Sequence, residues 1–153
     1  MAILHASPTT TSATDTHGVG NIFESPDGKR YKWVKIADSV DVLTGYVFTP
    51  ASIDGTEVTP DVSGGSSKAL RAVGVALGAV DVSETPYAFM QIAGVATVFT
   101  DGGVEAGEAV VADSTDGRAD TMADGEEEQV FGFALAADSG SPTTAPVYLL
   151  GNF

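Results

Sequence analysis

The apolar positions of this chain come in short runs that alternate with small or polar residues and stop at glycines, a pattern typical of β-strands. One such run occurs twice. Residues 73–79 are Val-Gly-Val-Ala-Leu-Gly-Ala, and residues 131–137 repeat them loosely as Phe-Gly-Phe-Ala-Leu-Ala-Ala. Each copy leads through a proline-containing polar loop into an apolar strand that stops at glycine. The pattern predicts two related β-hairpin units, over residues 70–94 and 129–151.

Bulky and small side chains alternate within both copies. Because successive residues of a strand point to opposite faces, each copy has a bulky face, which we expect in the core, and a nearly bare face. The bulky residues are Val73, Val75, Leu77, Phe131, Phe133 and Leu135. A face of glycine and alanine lets another backbone approach closely, from either a neighbouring strand layer or a second subunit. The candidate positions for close subunit packing are Gly74, Ala76, Gly132 and Ala134.

The first part of the chain predicts an arm followed by a hairpin. Residues 1–18 are small, polar and aperiodic, so we expect an extended N-terminal arm that is ordered only by contact with something else. Residues 20–24 and 30–36 flank a Ser-Pro-Asp-Gly turn. One or two further short strands are predicted over residues 41–60, the clearer of them at 42–48, before a flexible Ser/Gly loop at 63–67.

Between the two copies, residues 95–112 predict a strand, a glycine turn and a second strand. The fair helix formers at 122–129 are interrupted by Gly125 and are too few to bury an amphipathic face. We therefore predict an all-β fold, in which residues 19–153 form a single β-domain with the internal hairpin repeat.

Composition and charge narrow the class of protein. The chain has 153 residues, 43% of them hydrophobic, which suits one domain, and it has no cysteine for a disulfide, a thiolate metal site or a thiol nucleophile. It begins without the basic and apolar runs of a signal peptide and has no run of roughly 20 apolar residues, so we expect a soluble protein. The formal net charge of −14 repels phosphates and anionic lipids. We expect neither a nucleic acid nor a membrane as partner.

Residues for catalysis or metal binding occur, but their surroundings do not support either chemistry. The segment Asp138-Ser139-Gly140 is similar to the surroundings of a serine nucleophile, which needs a held imidazole base. The two histidines, His5 and His17, both lie in the predicted arm. The carboxylates of residues 113–120 lack the ligand spacing of a calcium loop, and residues 124–128 favour a solvated acidic loop. We expect no enzyme activity, no catalytic or metal site, no cofactor and no small-molecule substrate.

The positive charge of the chain is concentrated in one short segment. Four of the seven basic residues lie within residues 29–35, together with two aromatic residues. The segment contains Lys29, Arg30, Tyr31, Lys32, Trp33 and Lys35. It is either an amphipathic strand whose Trp33 or Val34 side packs inward, or a docking site for an acidic protein surface, since Trp, Tyr and Arg often anchor interfaces.

The repeated residues bring a family resemblance with them. The order Leu-Arg-Ala-Val-Gly-Val-Ala-Leu at 70–77, Ile-Ala-Gly-Val-Ala-Thr-Val at 92–98 and Glu-Ala-Gly-Glu-Ala-Val-Val at 105–111 resembles the capsid decoration proteins of tailed bacteriophages, also called cement or head-stabilising proteins. The segments Gln-Val-Phe-Gly-Phe-Ala-Leu at 129–135 and Val-Tyr-Leu-Leu at 147–150 continue it. The resemblance covers residues 69–153, and the acidic insertion at 115–129 departs from the family.

The resemblance implies a β-tulip or a related small barrel that forms a homotrimer on the outer surface of an icosahedral phage head, assembled in the host cytoplasm. There it would bind the major capsid protein and stabilise the lattice, without catalytic residues. The implied capsid contacts are in the arm and the basic segment: Ile3, Leu4, His5, Lys29, Arg30, Tyr31, Lys32, Trp33 and Lys35. Two alternatives stay open: another virion structural protein, such as a fibre base or neck component, and a carbohydrate-binding or hydrolytic β-domain.

Overall fold

The computed structural model of the protein describes residues 1–38, 41–62 and 71–151. Within these ranges the chain forms twelve β-strands and one 3-10 turn at Glu127–Gln129, so the all-β prediction is confirmed. The strands are β1 (Ala2–Ile3), β2 (Thr11–Ser12), β3 (Ile22–Glu24), β4 (Arg30–Ile36), β5 (Val47–Pro50), β6 (Glu57–Thr59), β7 (Gly74–Ala76), β8 (Tyr87–Thr100), β9 (Ala109–Ala112), β10 (Ala119–Thr121), β11 (Gly132–Ala134) and β12 (Thr143–Leu150). The loop predicted at 63–67 lies outside the described residues. Among the described residues, no helix is long and apolar enough to cross a membrane.

The long strand β8 is shared by two closed rings of strands. Its first half pairs with β4 and β7, and the pairings of β4 with β6, β6 with β5 and β5 with β7 close a ring of five, here called the first barrel. Its second half pairs with β12 and β10, and the pairings of β10 with β9, β9 with β11 and β11 with β12 close the second barrel. One 14-residue strand therefore joins two barrels into one body.

Gly94 lies where β8 passes from the first barrel to the second. The sequence predicted that the strand ends at this glycine, and that prediction is wrong, because β8 runs on to Thr100. Gly94 has a φ of +85°, which glycine adopts without the steric cost that other residues carry. A Cβ here would lie 3.0 Å from Lys29 Cγ. The glycine therefore redirects the strand instead of ending it.

Each barrel has its own apolar core. The first encloses Val34, Phe48 and Met90 among others, and the second encloses Val98 and Phe131 among others, all of them at most 1% exposed. Burying a side chain of this size contributes about 1.5–3 kcal/mol. The two cores together explain how so many short strands form a stable domain.

A third apolar cluster lies outside the first barrel, against the residues predicted to form a free arm. Its buried members are Tyr31, Trp33 and Phe89. Leu4, Ala6, Val19, Phe23, Leu77 and Tyr87 pack against them. In addition, β1 pairs with β3 and β2 pairs with β8. Residues 1–18 thus lie along the domain. We expected an arm that is ordered only by another molecule, but these residues are held by contacts within their own chain.

Both copies of the repeat form antiparallel hairpins, β7 with β8 and β11 with β12. In the second copy the predicted core position of the bulky face is right for Phe131, which is 1% exposed, and wrong for the other two residues. Phe133 and Leu135 are 42% and 51% exposed, whereas Gly132 and Ala134 are buried. The reason is that β11 packs so closely on β12 that a Cβ on Gly132 would lie 2.6 Å from the Tyr148 carbonyl oxygen. Only the bare face of the strand fits there.

Candidate interaction surfaces

The two aromatic residues of the basic segment are not available for a partner. Tyr31 is 4% exposed and Trp33 is 0% exposed. Both belong to β4, which the first barrel covers on one face and the N-terminal residues cover on the other. The indole Nε1–H of Trp33 donates to Asp15 Oδ1 at 2.9 Å, which satisfies its only polar group. The prediction that Tyr31 and Trp33 contact a capsid is therefore wrong.

The four basic side chains of the same segment each have a partner within the chain. Lys29 Nζ lies 3.5 Å from Asp27 Oδ2, and Lys35 Nζ lies 2.8 Å from Glu57 Oε1. The hydrogen bond from Lys35 to the Glu57 carboxylate, together with their opposite charges, raises the pKa of Lys35. The Lys32 ammonium and the Arg30 guanidinium donate to the carbonyls of Gly55 and Gly151. Each of the four positive charges is therefore held by a different partner, at separate places along residues 29–35.

The arm residues predicted to touch a capsid divide into exposed and packed ones. Ile3 is 64% exposed and His5 is exposed, whereas Leu4 packs against the aromatic cluster. A groove of about 530 Å³ beside β1 is lined by Met1, Ala2, Gly20, Asn21, Ile22, Phe23 and Arg30. The structure therefore brings the start of the arm and one residue of the basic segment to the same place.

His17 has a structural position that sequence reasoning did not find. Its ring packs edge-on against Trp33, with centroids 4.7 Å apart, and lies 5.1 Å from the Phe89 ring. The ring also meets Phe23 edge-on at 6.0 Å. The sequence did not indicate this contact, because Phe89 comes from β8, far along the chain, and completes the group of rings only in the folded domain. His17 thus fixes the arm to the domain.

The four residues proposed for close subunit packing are buried within the chain. A Cβ on Gly74 would lie 2.6 Å from Met90 Sδ and 3.0 Å from the Gln91 carbonyl oxygen, so the approaching backbone belongs to β8. Gly132 approaches β12 in the same way, and Ala76 and Ala134 are 3% and 2% exposed. The backbone that approaches the bare faces therefore belongs to neighbouring strands of the same chain. The role of the four residues between subunits stays a prediction.

An exposed apolar face on the second barrel was missed by sequence reasoning. Phe133 on β11 lies opposite Tyr148 on β12, which lies opposite Val95 on β8, and the three side chains are 42–49% exposed. Beside this row, Leu135 donates its backbone N–H to the Pro146 carbonyl. The alternation along β12, where Ala145, Val147 and Leu149 are buried and the residues between them are exposed, was the available signal. We call Val95, Thr97, Phe133, Leu135, Pro146 and Tyr148 the apolar face.

Side chains of opposite charge lie at the two ends of the apolar face. Beside β8, a depression of about 290 Å³ is lined by Lys29 together with Val95. Beside β11, a groove of about 700 Å³ is lined by Phe133, Glu127, Glu128 and Arg71. The Arg71 guanidinium lies 3.4 Å from the Glu128 carboxylate, so Glu127 gives the groove its net negative charge. The face therefore has a basic flank and an acidic flank.

In the segment that is similar to a serine-nucleophile motif, the Asp138 side chain holds two loops together by hydrogen bonds. The Asp138 carboxylate accepts hydrogen bonds from the Gly103 N–H at 2.8 Å, the Gly140 N–H at 2.9 Å and the Thr100 hydroxyl at 2.8 Å. Burial raises the pKa of Asp138, but these bonds and one from the Val104 N–H outweigh it and hold the pKa below its usual range. Asp138 joins the loop after β8 to the loop before β12.

The acidic residues considered as calcium ligands are used in loop contacts. Asp116 accepts the Val62 N–H at 2.8 Å, and Asp113 accepts the Thr115 N–H at 3.1 Å. Across residues 1–38, 41–62 and 71–151, no group of three His, Asp or Glu side chains is arranged to hold a metal ion.

Comparison with known proteins gives a structural neighbour. No protein family and no curated protein matches the chain. The fold is similar to the crystal structure of the head fiber gp8.5 N base of bacteriophage phi29, with a TM-score of 0.54 over 78% of this chain and 92% of that one. The likeness is one of fold. At 15% sequence identity it shows a shared architecture of β-strands and carries no residue roles across.

Proposed function

We propose that this chain is a structural protein of a phage virion, displayed on the outside of the head as a homotrimer. The observation that carries the proposal is the fold that this chain shares with a head-fibre base. The structural match covers 92% of that chain. The resemblance of residues 69–153 to capsid decoration proteins supports the same class of protein from the sequence. The neighbour supports the coarse assignment to a virion; attachment to the head lattice and the trimer are our extensions.

Two forms of this function differ in what the protein does on the head. The fold comparison favours the base of a head fibre. The sequence resemblance favours a cement protein, which stabilises the shell by binding its assembled form. In either form, many weak contacts on a symmetric shell add up to firm attachment.

The end of the first barrel that carries the arm is the proposed side for the major capsid protein. Ile3 and His5 are exposed there, and Arg30 lines the adjoining groove of about 530 Å³. Leu4, Lys29 and Lys32 stay in the proposal near that end, without Tyr31 and Trp33. Lys35 also stays in the proposal, although it lies toward the opposite end of β4, beside Glu57. An acidic body with a mixed apolar and basic end is suited to a partner that offers apolar pockets and carboxylates.

Binding to heads tests the proposal. Heads that lack this protein, taken from the phage that encodes it, are incubated with the purified chain and imaged by electron microscopy. Added density at symmetric positions on the outer surface is the expected result, and heads without added density would contradict the proposal. A fibre base leaves the resistance of the heads to heat unchanged, whereas a cement protein raises it.

The contacts of the arm require point variants instead of a deletion. Removing residues 1–17 would uncover the buried aromatic cluster and change the domain itself. Ile3→Ser with His5→Ser changes only exposed side chains, and Ile53→Ser, on the loop between β5 and β6, is the matched control. We expect weaker head binding in the double variant and unchanged binding in the control. Equal binding of both proteins would show that the arm does not face the shell.

A further inference from the structure

The apolar face of the second barrel has no covering element among the described residues. Phe133, Tyr148 and Val95 stand in one row across three hydrogen-bonded strands. Adjacent strands lie about 4.8 Å apart, so the row is about 10 Å wide. Leu135, 51% exposed, widens it. A contiguous patch of large apolar side chains on a surface marks an interaction site more often than a single exposed residue does.

The charge pattern around this face indicates what covers it. The six residues of the face carry no ionisable group except the phenol of Tyr148, although the whole chain carries a net charge of −14. Elsewhere on the surface, two copies of the chain would bring carboxylates together and repel. On this face, apolar burial is not opposed by like charge. Lys29 gives the depression at one flank one positive charge, whereas Glu127, Glu128 and Arg71 together give the groove at the other flank one net negative charge.

We propose that the apolar face is the surface through which copies of this chain associate, with the Lys29 flank of one copy against the Glu127 flank of the next. The inference deepens the proposed function, because it supplies the surface of the proposed trimer. It also moves the subunit contact away from Gly74 and Gly132, whose close neighbours are in their own chain. Phe133 and Tyr148 would anchor the contact, as aromatic residues at the centre of an interface commonly do.

The molecular mass of the purified chain in solution tests the surface. Analytical ultracentrifugation is expected to give a mass above that of one 15.6 kDa chain, and the double variant Phe133→Thr with Tyr148→Thr is expected to sediment as a monomer. Both substitutions keep residues that suit a strand, so the circular dichroism spectrum should not change. The control Ile53→Thr alters a fully exposed apolar residue on the loop between β5 and β6 of the first barrel and should keep the wild-type mass. A monomeric wild-type chain, or a double variant with the wild-type mass, would overturn the proposal.

A charge exchange tests the orientation of the copies. Lys29→Glu and Glu127→Lys are each expected to weaken self-association several-fold, because each places like charges together at the flank. Combining them restores opposite charges and should recover most of the affinity. If the combined variant is weaker than both single variants, the proposed orientation is wrong.

The outcome separates this inference from the proposed function. A chain that associates through the face but adds no density to heads keeps the inference and contradicts the function. The chain could instead be a monomer that binds heads and loses this binding in the Phe133 and Tyr148 double variant. The apolar face would then be the surface that contacts a head protein. That result overturns self-association and leaves the virion function in place.

Discussion

The indole of Trp33 and the carboxylate of Asp15 are joined by a 2.9 Å hydrogen bond that ties the N-terminal residues to strand β4 of the first barrel. The same carboxylate accepts the backbone N–H groups of Gly18 and Val19, at 2.8 Å and 3.0 Å. One side chain thus organises its own turn and anchors it on β4. His17, between Asp15 and those amides in sequence, packs on the same indole.

Replacing Asp15 is expected to loosen the N-terminal residues while leaving both barrels folded. In Asp15→Ala the two amides and the indole lose their acceptor, so residues 1–18 should exchange their amide hydrogens faster, on the order of tenfold. Hydrogen exchange followed by mass spectrometry measures this. Asp124→Ala, on an exposed acidic loop, is the control and should leave the exchange unchanged. Equal exchange in both variants would show that packing alone holds the arm.

Acid should release the same contact. The Val19 N–H, followed by the Gly18 N–H and the Trp33 indole, lowers the pKa of Asp15, although burial partly opposes the shift. Because the folded pKa is below the unfolded value of about 3.9, the contact stabilises the fold above that pH and is lost as the pH falls through the folded pKa. Indole fluorescence of Trp33, the only tryptophan, should change in this acid range in the wild type and not in Asp15→Ala. The same acid transition in both proteins would contradict the assignment to Asp15.

A second acidic side chain, Asp54 on the loop between β5 and β6, should also titrate below its ordinary pKa. The Ser52 hydroxyl, then the hydroxyl and N–H of Thr56, lower the pKa of Asp54 to about 2. Thr56→Val removes the second hydroxyl and should raise this pKa toward the ordinary value. Carbon-detected NMR titration of the carboxyl measures both proteins. Thr44→Val, an exposed threonine outside that loop, is the control and should leave the value unchanged.

The glycines of the repeat should differ in their tolerance of a methyl group. A Cβ on Gly132 meets the backbone oxygen of Tyr148 at 2.6 Å, so Gly132→Ala should destabilise the domain by about 1–3 kcal/mol. At Gly74 the nearest atom is the flexible Met90 sulfur, and the cost should be smaller. Gly78→Ala is the control, because its Cβ would have only ordinary contacts at 3.8 Å. Urea unfolding ranks the three variants, and an equal loss in all three would contradict the close approach of β11 to β12.

Removing the Asp138 carboxylate should loosen one end of the second barrel. Asp138→Ala leaves the N–H groups of Gly103 and Gly140 without their acceptor, and we expect the melting temperature to fall by several degrees. Asp138→Asn keeps one amide oxygen as an acceptor and should recover part of the loss. Differential scanning calorimetry measures the series. If the alanine variant melts like wild type, the hydrogen bonds to Asp138 do not hold the two loops together.

Some of the candidate site was predictable and some was not. Ile3 and His5 were named from the family resemblance, and the four basic residues near β4 from the clustering of positive charge; the structure places Ile3 and His5 on the surface. For Trp33 the sequence left two alternatives open, packing inside the domain or contact with a partner. Trp33 and Val34 point to opposite faces of β4, so both can be buried only if something covers the second face. That cover comes from the N-terminal residues, whose small and polar sequence contains no periodic signal.

The repeated stretch from which the β-fold was predicted is found as two hairpins, one in each barrel. The sequence by itself determined the all-β class, the hairpins and the small-residue positions, because alternation and glycine placement are local properties of a strand. Only the tertiary structure decided that β8 passes through Gly94 and that Phe133 and Tyr148 face outward. Alternation says which residues share a face but not which face is inside, and the close packing of β11 on β12 makes that choice.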